Sequence, residues 1–355
     1  MYLSPSARLA IYAEGEFGKG RSKTAEGVLR YGQNPIAAVI DSTSVGKTIV
    51  EAVGIKCEAP IVGSIAEAVS LNAEALLLGT AWSGGRLPES WRSDIMSAIR
   101  AGMHVVNGLH DFLADDPEIA KLAAQHQKLL LDVRRPPDNL DVATGLALKT
   151  KAFIVLTVGT DCSVGKMTTS LELAAETRKR GHKAAFVATG QTGIMITGGS
   201  GIAVDRVIGD FMAGATEKIV LEAAPGQDFV YVEGQGSLAH PSFSGVTLAL
   251  MHGSCPQALI LCHKSSRTCI HGKGLEEFPQ PAFKRMIEVS QTMTSFLRPA
   301  KVVGIGLNTV GLDEAEARRR VEQAQEETGL PATDCVRFGS APLVDAILAY
   351  REKTK

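Results

Sequence analysis

The feature that most constrains this chain is an alternation of short apolar runs with amphipathic stretches that begins at the N-terminus, breaks, and begins again. It runs ARLAIYA, TAEGVLRY, PIAAVID, SIAEAVSL and EALLLGT, then SWRSDIMSAIRAG, HVVNGL, PEIAKLAAQHQ and KLLLDV. Strand and helix in turn at this spacing make βαβ units, and therefore a parallel sheet with helices on its faces. The stretch RRPPDNLDVATGLALKTK interrupts the rhythm with two prolines and mixed charge, the composition of a connector. The alternation resumes at AFIVLTVGT and continues through KAAFVAT, DFVYVEG, QALILCH and KVVGIGLNT, with GKMTTSLELAAETRKRG and DEAEARRRVEQAQEETG as the clearest helices between them. The pattern predicts an α/β chain with a doubly wound first domain over residues 1–134, a linker over 135–151 and a second α/β domain over 152–355.

Composition supports that division. A length of 355 residues exceeds what one hydrophobic core usually serves. Aromatics at 5% and 36 glycines suit α/β layers with glycine loops at strand ends better than a β-sandwich. With 37 Lys+Arg against 38 Asp+Glu and no long basic tract, a nucleic-acid partner is excluded, because phosphate backbones select for clustered positive charge. The opening MYLSPSARLA has neither a charged leader nor a long apolar core, and no run of eighteen apolar residues follows, so no membrane partner is expected. Six scattered cysteines without C-x-x-C pairs read as reduced thiols of a cytoplasmic protein. A homo-oligomer is the ordinary expectation for such an enzyme-sized chain.

The strongest local motif is Gly159-Thr160-Asp161-Cys162-Ser163-Val164-Gly165-Lys166-Met167-Thr168, directly after an apolar strand and opening a helix. Glycines permit the tight turn, successive amides form an anion nest, and the helix terminus adds partial positive charge. Lys166 supplies a point charge. The spacing departs from the usual phosphate loop by one extra residue, and Met167 stands where a magnesium-binding hydroxyl belongs, with Thr168 the next hydroxyl along. Cys162 reads as a small residue fitting the turn or, less simply, as an activated thiol.

Two weaker echoes occur in the first domain. In Asp41-Ser-Thr-Ser-Val-Gly46-Lys47-Thr48 an aspartate replaces the first glycine, which favours a structural loop. Gly15-Glu-Phe-Gly18-Lys-Gly20 resembles a dinucleotide loop without its spacing, and Asp41 at the next strand end would suit a ribose.

Ligands of open parallel sheets bind beyond the carboxyl ends of the strands. There the second domain offers a substrate-facing loop at Gln191, Thr192 and Gly193, then Glu233, His240, Lys264, Asn308 and Arg337. Glu233 is the candidate general base, or a metal-water ligand, or a carboxylate that only caps loop amides. Arg337 and Lys264 are the candidate partners for an acidic substrate, with Arg337 preferred for its bidentate geometry. Cys262, His263, Cys269 and His271 match no standard zinc spacing, and no metal site is expected.

Taken together, GLHDFL, DVRRPP, VGTDCSVGKMTT, ATGQTGIMI, VEGQGSLAHPSFSGVTLALMHG and GIGLNT resemble a bacterial family long labelled as of unknown function, whose members include D-glutamate N-acetyltransferases. The phosphate loop alone also resembles that of dethiobiotin synthetases. The family resemblance implies a Rossmann-like N-terminal domain joined to a P-loop C-terminal domain. It implies acetyl-CoA as donor and D-glutamate, a small acidic amino acid, as acceptor. From their places in the phosphate loop and at the strand ends, Gly159 to Thr168 and Asn308 would hold the coenzyme, while Glu233, Lys166 and Asp161 would serve the transfer. The alternative is an ATP- and Mg2+-dependent ligase or kinase acting on a small carboxylate.

Overall fold

The computed structural model describes residues 3–80 and 85–354. Met1 and Tyr2, part of the opening stretch considered above, lie outside the described residues. The chain divides into two compact units, Met1–Pro136 with Gly190–Arg206, and Pro137–Thr189 with Val207–Lys355.

The first unit runs β1 (Leu9–Tyr12), α1 (Lys23–Tyr31), β2 (Ile36–Ile40), α2 (Ile49–Val53), β3 (Ile61–Val62), α3 (Ile65–Ser70), β4 (Ala75–Leu78), α4 (Glu89–Arg100), β5 (His104–Asn107), α5 (Pro117–Gln125) and β6 (Leu130–Asp132). Its sheet has the order β3-β2-β1-β4-β5-β6 with every pair parallel, the doubly wound Rossmann order. Helices on both faces bury β1 and β4 at every position, which is why LAIY and ALLL are apolar throughout rather than alternating. Helix starts are local: Asp116 accepts the amides of Glu118 and Ile119 with Pro117 at the first turn, and Thr48 and Glu51 form a capping box. Tyr12 anchors the core edge-on to Trp91 at 4.8 Å, its hydroxyl donating to Asp94 at 2.5 Å.

In the second unit β7 (Phe153–Gly159) leads into α6 (Lys166–Lys179) and β8 (Ala184–Val187). The short helix α7 (Gln191–Ile196) follows but groups with the first unit. The remainder is α8 (Met212–Ala223), β9 (Phe229–Val232), α9 (Ser244–Ser254), β10 (Ala258–Lys264), α10 (Phe283–Ser295), β11 (Lys301–Asn308), α11 (Glu314–Thr328), β12 (Ala332–Thr333) and α12 (Ala341–Thr354). The parallel sheet has the order β12-β11-β10-β7-β9-β8, so β7 is central and its carboxyl end opens between β10 and β9. All seven residues of β7 are buried.

One expectation is corrected here. Gln191, Thr192 and Gly193 belong to a helix rather than a loop, because Ile194, Met195 and Ile196 are buried apolar side chains. Thr192 pairs its hydroxyl with that of Thr24 at 2.8 Å, and Gln191 packs where a side chain on Gly108 would have to stand. Sequence adjacency to β8 suggested a loop of the second unit; burial of an apolar triplet made it a helix packed in the first.

Candidate active site at the phosphate loop

Beyond β7 the chain cannot stay extended. Ser163 has φ 54° and Gly165 φ 102°, left-handed conformations that coil the loop before α6 begins. A side chain on Gly159 would stand 2.9 Å from the Asp161 carbonyl oxygen and from Lys166 Nζ, so glycine is the residue that fits. From Ser163 to Thr168 the backbone amides meet no acceptor among the described residues; the helical ladder is first joined by Thr169 N–H to the Gly165 carbonyl. A run of undirected donors at a helix start is an anion nest.

Lys166 sits within it, 6% exposed, donating to the Asp161 carbonyl at 2.8 Å. Burial holds its ammonium below the usual lysine pKa range. An anion in the nest would remove that penalty by pairing the charge. Thr160 is fixed on both sides, its amide donating to the Cys262 carbonyl and its hydroxyl pairing with His263 Nδ1 at 3.0 Å. Val164 packs into the core, so its contribution to the loop is backbone. Cys162 is raised by burial to about 11, which makes it a neutral thiol at pH 7 and disfavours the activated reading.

Asp161 has no exposed surface. Its Oδ1 accepts the Cys162 amide at 2.6 Å, and its Oδ2 accepts Arg267 Nη1 at 2.6 Å and the His271 amide at 2.8 Å. Arg267 also donates to the Cys162 carbonyl at 2.7 Å, so one guanidinium clamps two consecutive loop residues. Sequence reasoning missed Arg267; the available signal was a cation three residues past Lys264 at a strand end. Asp161, Cys162 and His240 bring ligand atoms within 4.8 Å of one another. The donor set does not suit a metal: both Asp161 oxygens are in use, His240 accepts from the Ser242 amide and donates to the His271 carbonyl, and a cation would face Arg267.

The neighbouring strand ends complete the site. A side chain on Gly234 would collide with the Thr157 carbonyl at 1.7 Å and reach Lys166 Cδ at 3.0 Å, so the loop after β9 presses on the lysine stem. Glu233, 6% exposed, accepts the Thr189 amide at 2.9 Å, while its own carbonyl accepts the Thr189 hydroxyl. Asn308 lies against Gly165, with 3.6 Å from its Cβ to the position a Gly165 Cβ would take. Lys264, at the end of β10, is held below the usual lysine range by burial and by Arg267. The structure thus gathers Gly159 to Thr168, Glu233, Lys264 and Asn308. Arg337 follows β12, the edge strand three places from β7 in the sheet order. There Nη1 donates to the carbonyls of Thr309 and Leu312.

Residues 141–344 match a family described as "Domain of unknown function (DUF1611_C) P-loop domain", and residues 42–136 match its companion, "Domain of unknown function (DUF1611_N) Rossmann-like domain". The chain belongs to the DUF1611 family. A crystal structure of a DUF1611 family protein from Anabaena variabilis is similar over 97% of this chain and 100% of that one, with 41% identity and a TM-score of 0.92. Two relatives carry the name D-glutamate N-acetyltransferase. One, from Tritonibacter scottomollicae, is 41% identical over 81% of this chain and 84% of its own length; the other, from a Pseudoalteromonas species, is 42% identical over 81% and 83%. The DUF1611 chain is therefore built from a Rossmann-like sheet and a P-loop sheet, as the family resemblance implied. A pocket of about 350 Å³ lined by Lys151, Arg298 and Arg351 adjoins the amino end of β7, opposite the end where this sheet type binds ligands. Among the described residues no helix is long and apolar enough to cross a membrane.

Proposed function

We propose that the chain transfers an acetyl group from acetyl-CoA to the amino group of D-glutamate, the activity in the names of its two relatives. The observation that carries the reading is the phosphate loop: open amides and a buried lysine, with Met167 where a magnesium-binding hydroxyl would be needed for ATP chemistry. The donor's diphosphate suits this nest, since it needs donors and one cation but no hydrolysis. When bound, acetyl-CoA supplies the acetyl thioester. Lys166 and the amides of Ser163 to Thr168 hold the phosphates, and Asn308 supports the loop at Gly165. Asp161, neutralised by Arg267, holds the loop's shape. Glu233 takes the proton from the acceptor's ammonium so that a neutral amine attacks the thioester carbonyl, the C–S bond breaks and coenzyme A leaves as the thiol; its place at the end of β9, the strand beside β7, favours that role. Lys264 is the preferred partner for an acceptor carboxylate, since Arg337 is engaged by backbone carbonyls. Six unpaired cysteines suit a reducing compartment, the cytoplasm.

The test is release of free thiol from acetyl-CoA with D-glutamate, L-glutamate and other D-amino acids as acceptors, with and without a chelator. Thiol release with D-glutamate, unchanged by the chelator, is the expected result. No thiol with any acceptor, and magnesium-dependent ADP formation instead, overturns the reading.

A further inference from the structure

The phosphate loop follows the carboxyl end of β7; at the amino end, beside Phe153, lies the separate pocket of about 350 Å³. Three cations line it, Lys151 just before β7, Arg298 between α10 and β11, and Arg351 in the last turn of α12, and no carboxylate does. None of the three makes an ion pair among the described residues. Arg298 donates to the Cys255 and Leu148 carbonyls, and Arg351 lies over the Phe229 ring at 4.4 Å. Those contacts orient a guanidinium without cancelling its charge. Burial holds Arg298 below the usual arginine range, the mark of a charge desolvated without a counter-ion. Cations belong at helix carboxyl ends, and α9, α10 and α12 all end at this face. At about half a charge each, those three ends offset only about half of three full charges. Donors add to the excess: Gln257 accepts the Ile154 amide at 2.8 Å through Oε1, which leaves its amide N–H groups unpaired among the described residues, as is the Tyr350 hydroxyl. Neither is sealed from solvent.

We propose that this pocket binds a phosphate group, free or carried by a small molecule, at a site separate from the phosphate loop. A phosphate group carries about 1.5–2 negative charges near pH 7 and three acceptor oxygens, which matches the uncompensated charge and the three elements that supply it. Gln257 and Tyr350 donate to the oxygens that the cations leave open. Phe153 and Tyr350, edge to face at 6.4 Å, give apolar wall for the organic part of an ester. The pocket and the phosphate loop lie at opposite ends of β7, so occupancy here does not depend on the acetyl-transfer reading.

The experiment uses the full chain carrying Lys166→Met, which removes the phosphate loop's cation, and titrates it with inorganic phosphate by calorimetry. Phosphate is expected to bind. Lys151→Gln together with Arg351→Gln, added to that chain, is expected to weaken binding at least about tenfold, and Lys151→Arg with Arg351→Lys to keep it within about threefold. Arg298 is left in place because it also holds two backbone carbonyls. Phenyl phosphate separates the two sources: tighter binding than inorganic phosphate identifies an ester as the occupant, equal binding the free ion. In the chain that keeps Lys166, the neutral pair is expected to leave thiol release from acetyl-CoA unchanged. Absence of phosphate binding at millimolar concentration, or binding untouched by the neutral pair, overturns the site. Acetate binding as tightly as phosphate overturns it too, since the pocket would then be a diffuse patch of positive charge. Equal loss in the neutral and the charge-conserving pairs overturns the electrostatic basis. Failure of acetyl transfer with phosphate binding here intact counts against the acetyltransferase reading alone.

Discussion

Each unit begins with a buried strand that runs into a glycine loop, and the two loops have opposite fates. After β1, the amides of Gly15 and Phe17 donate to Asp41, that of Gly18 to the Ser22 hydroxyl, and those of Glu16 and Lys19 to nearby carbonyls. Asp41 also accepts from Thr43 and Ser44. Burial opposes its ionisation, but the bonds from Thr43, Ser44 and Gly15 outweigh that and hold its carboxyl below the usual range. After β7 the corresponding carboxylate, Asp161, is turned to Arg267, and the amides from Ser163 onward stay undirected. A nest is thus defined less by its glycines than by whether the protein supplies its own anion. In the first unit Asp41 is that anion, and it occupies the position from which a ribose would have been bound.

The predictions follow from that difference, largest first. Glu233→Gln should lower turnover about 10²–10⁴-fold, the usual worth of a positioned base, with coenzyme A affinity by calorimetry unchanged. Equal loss of both would make Glu233 a cap on Thr189, like Asp41 on its loop. Lys166→Met should weaken coenzyme A about 10–100-fold, the range for a charge-assisted hydrogen bond. It should leave the unliganded chain as stable as before or more so, because the lysine is buried without a counter-charge in its own bond. Asp41→Asn should do the reverse: about 1–3 kcal/mol less stability, faster exchange of the Gly15 and Phe17 amides by NMR, and unchanged thiol release.

The pH dependence sharpens the last case. Asp41 has a lowered folded pKa, so its contribution is fully present above the ordinary carboxylate range and is lost as pH falls through the lower folded value. Parent and Asp41→Asn should therefore differ in stability at pH 7 and converge in acid, as chemical denaturation at several pH values would report. A second pH effect concerns His263. With a folded pKa of about 4, its ring signals should not titrate between pH 5 and 7, and stability should decline as pH falls from about 6.5 toward 4, where the unfolded chain takes up the proton first.

Much of this was legible beforehand. The apolar runs located the two sheets because strands covered on both faces must be apolar at every position. Gly159 to Thr168 announced a nest because turn, amides and helix start all lie within ten consecutive residues. Arg267 was not legible: its partners Asp161 and Cys162 lie 106 and 105 residues earlier. Nor was the placement of α7, whose polar start and glycine read as a loop until burial of Ile194 to Ile196 is known.

By itself, then, the sequence determined the α/β class, the open loop after β7 and the kinship with the DUF1611 family, all of which rest on neighbours along the chain. Only the tertiary structure decided which carboxylate meets which donor. Asp41 reaches back 26 residues to Gly15 and Asp161 forward to Arg267. Buried polar groups must find partners wherever the fold brings them, and no local pattern records where that is.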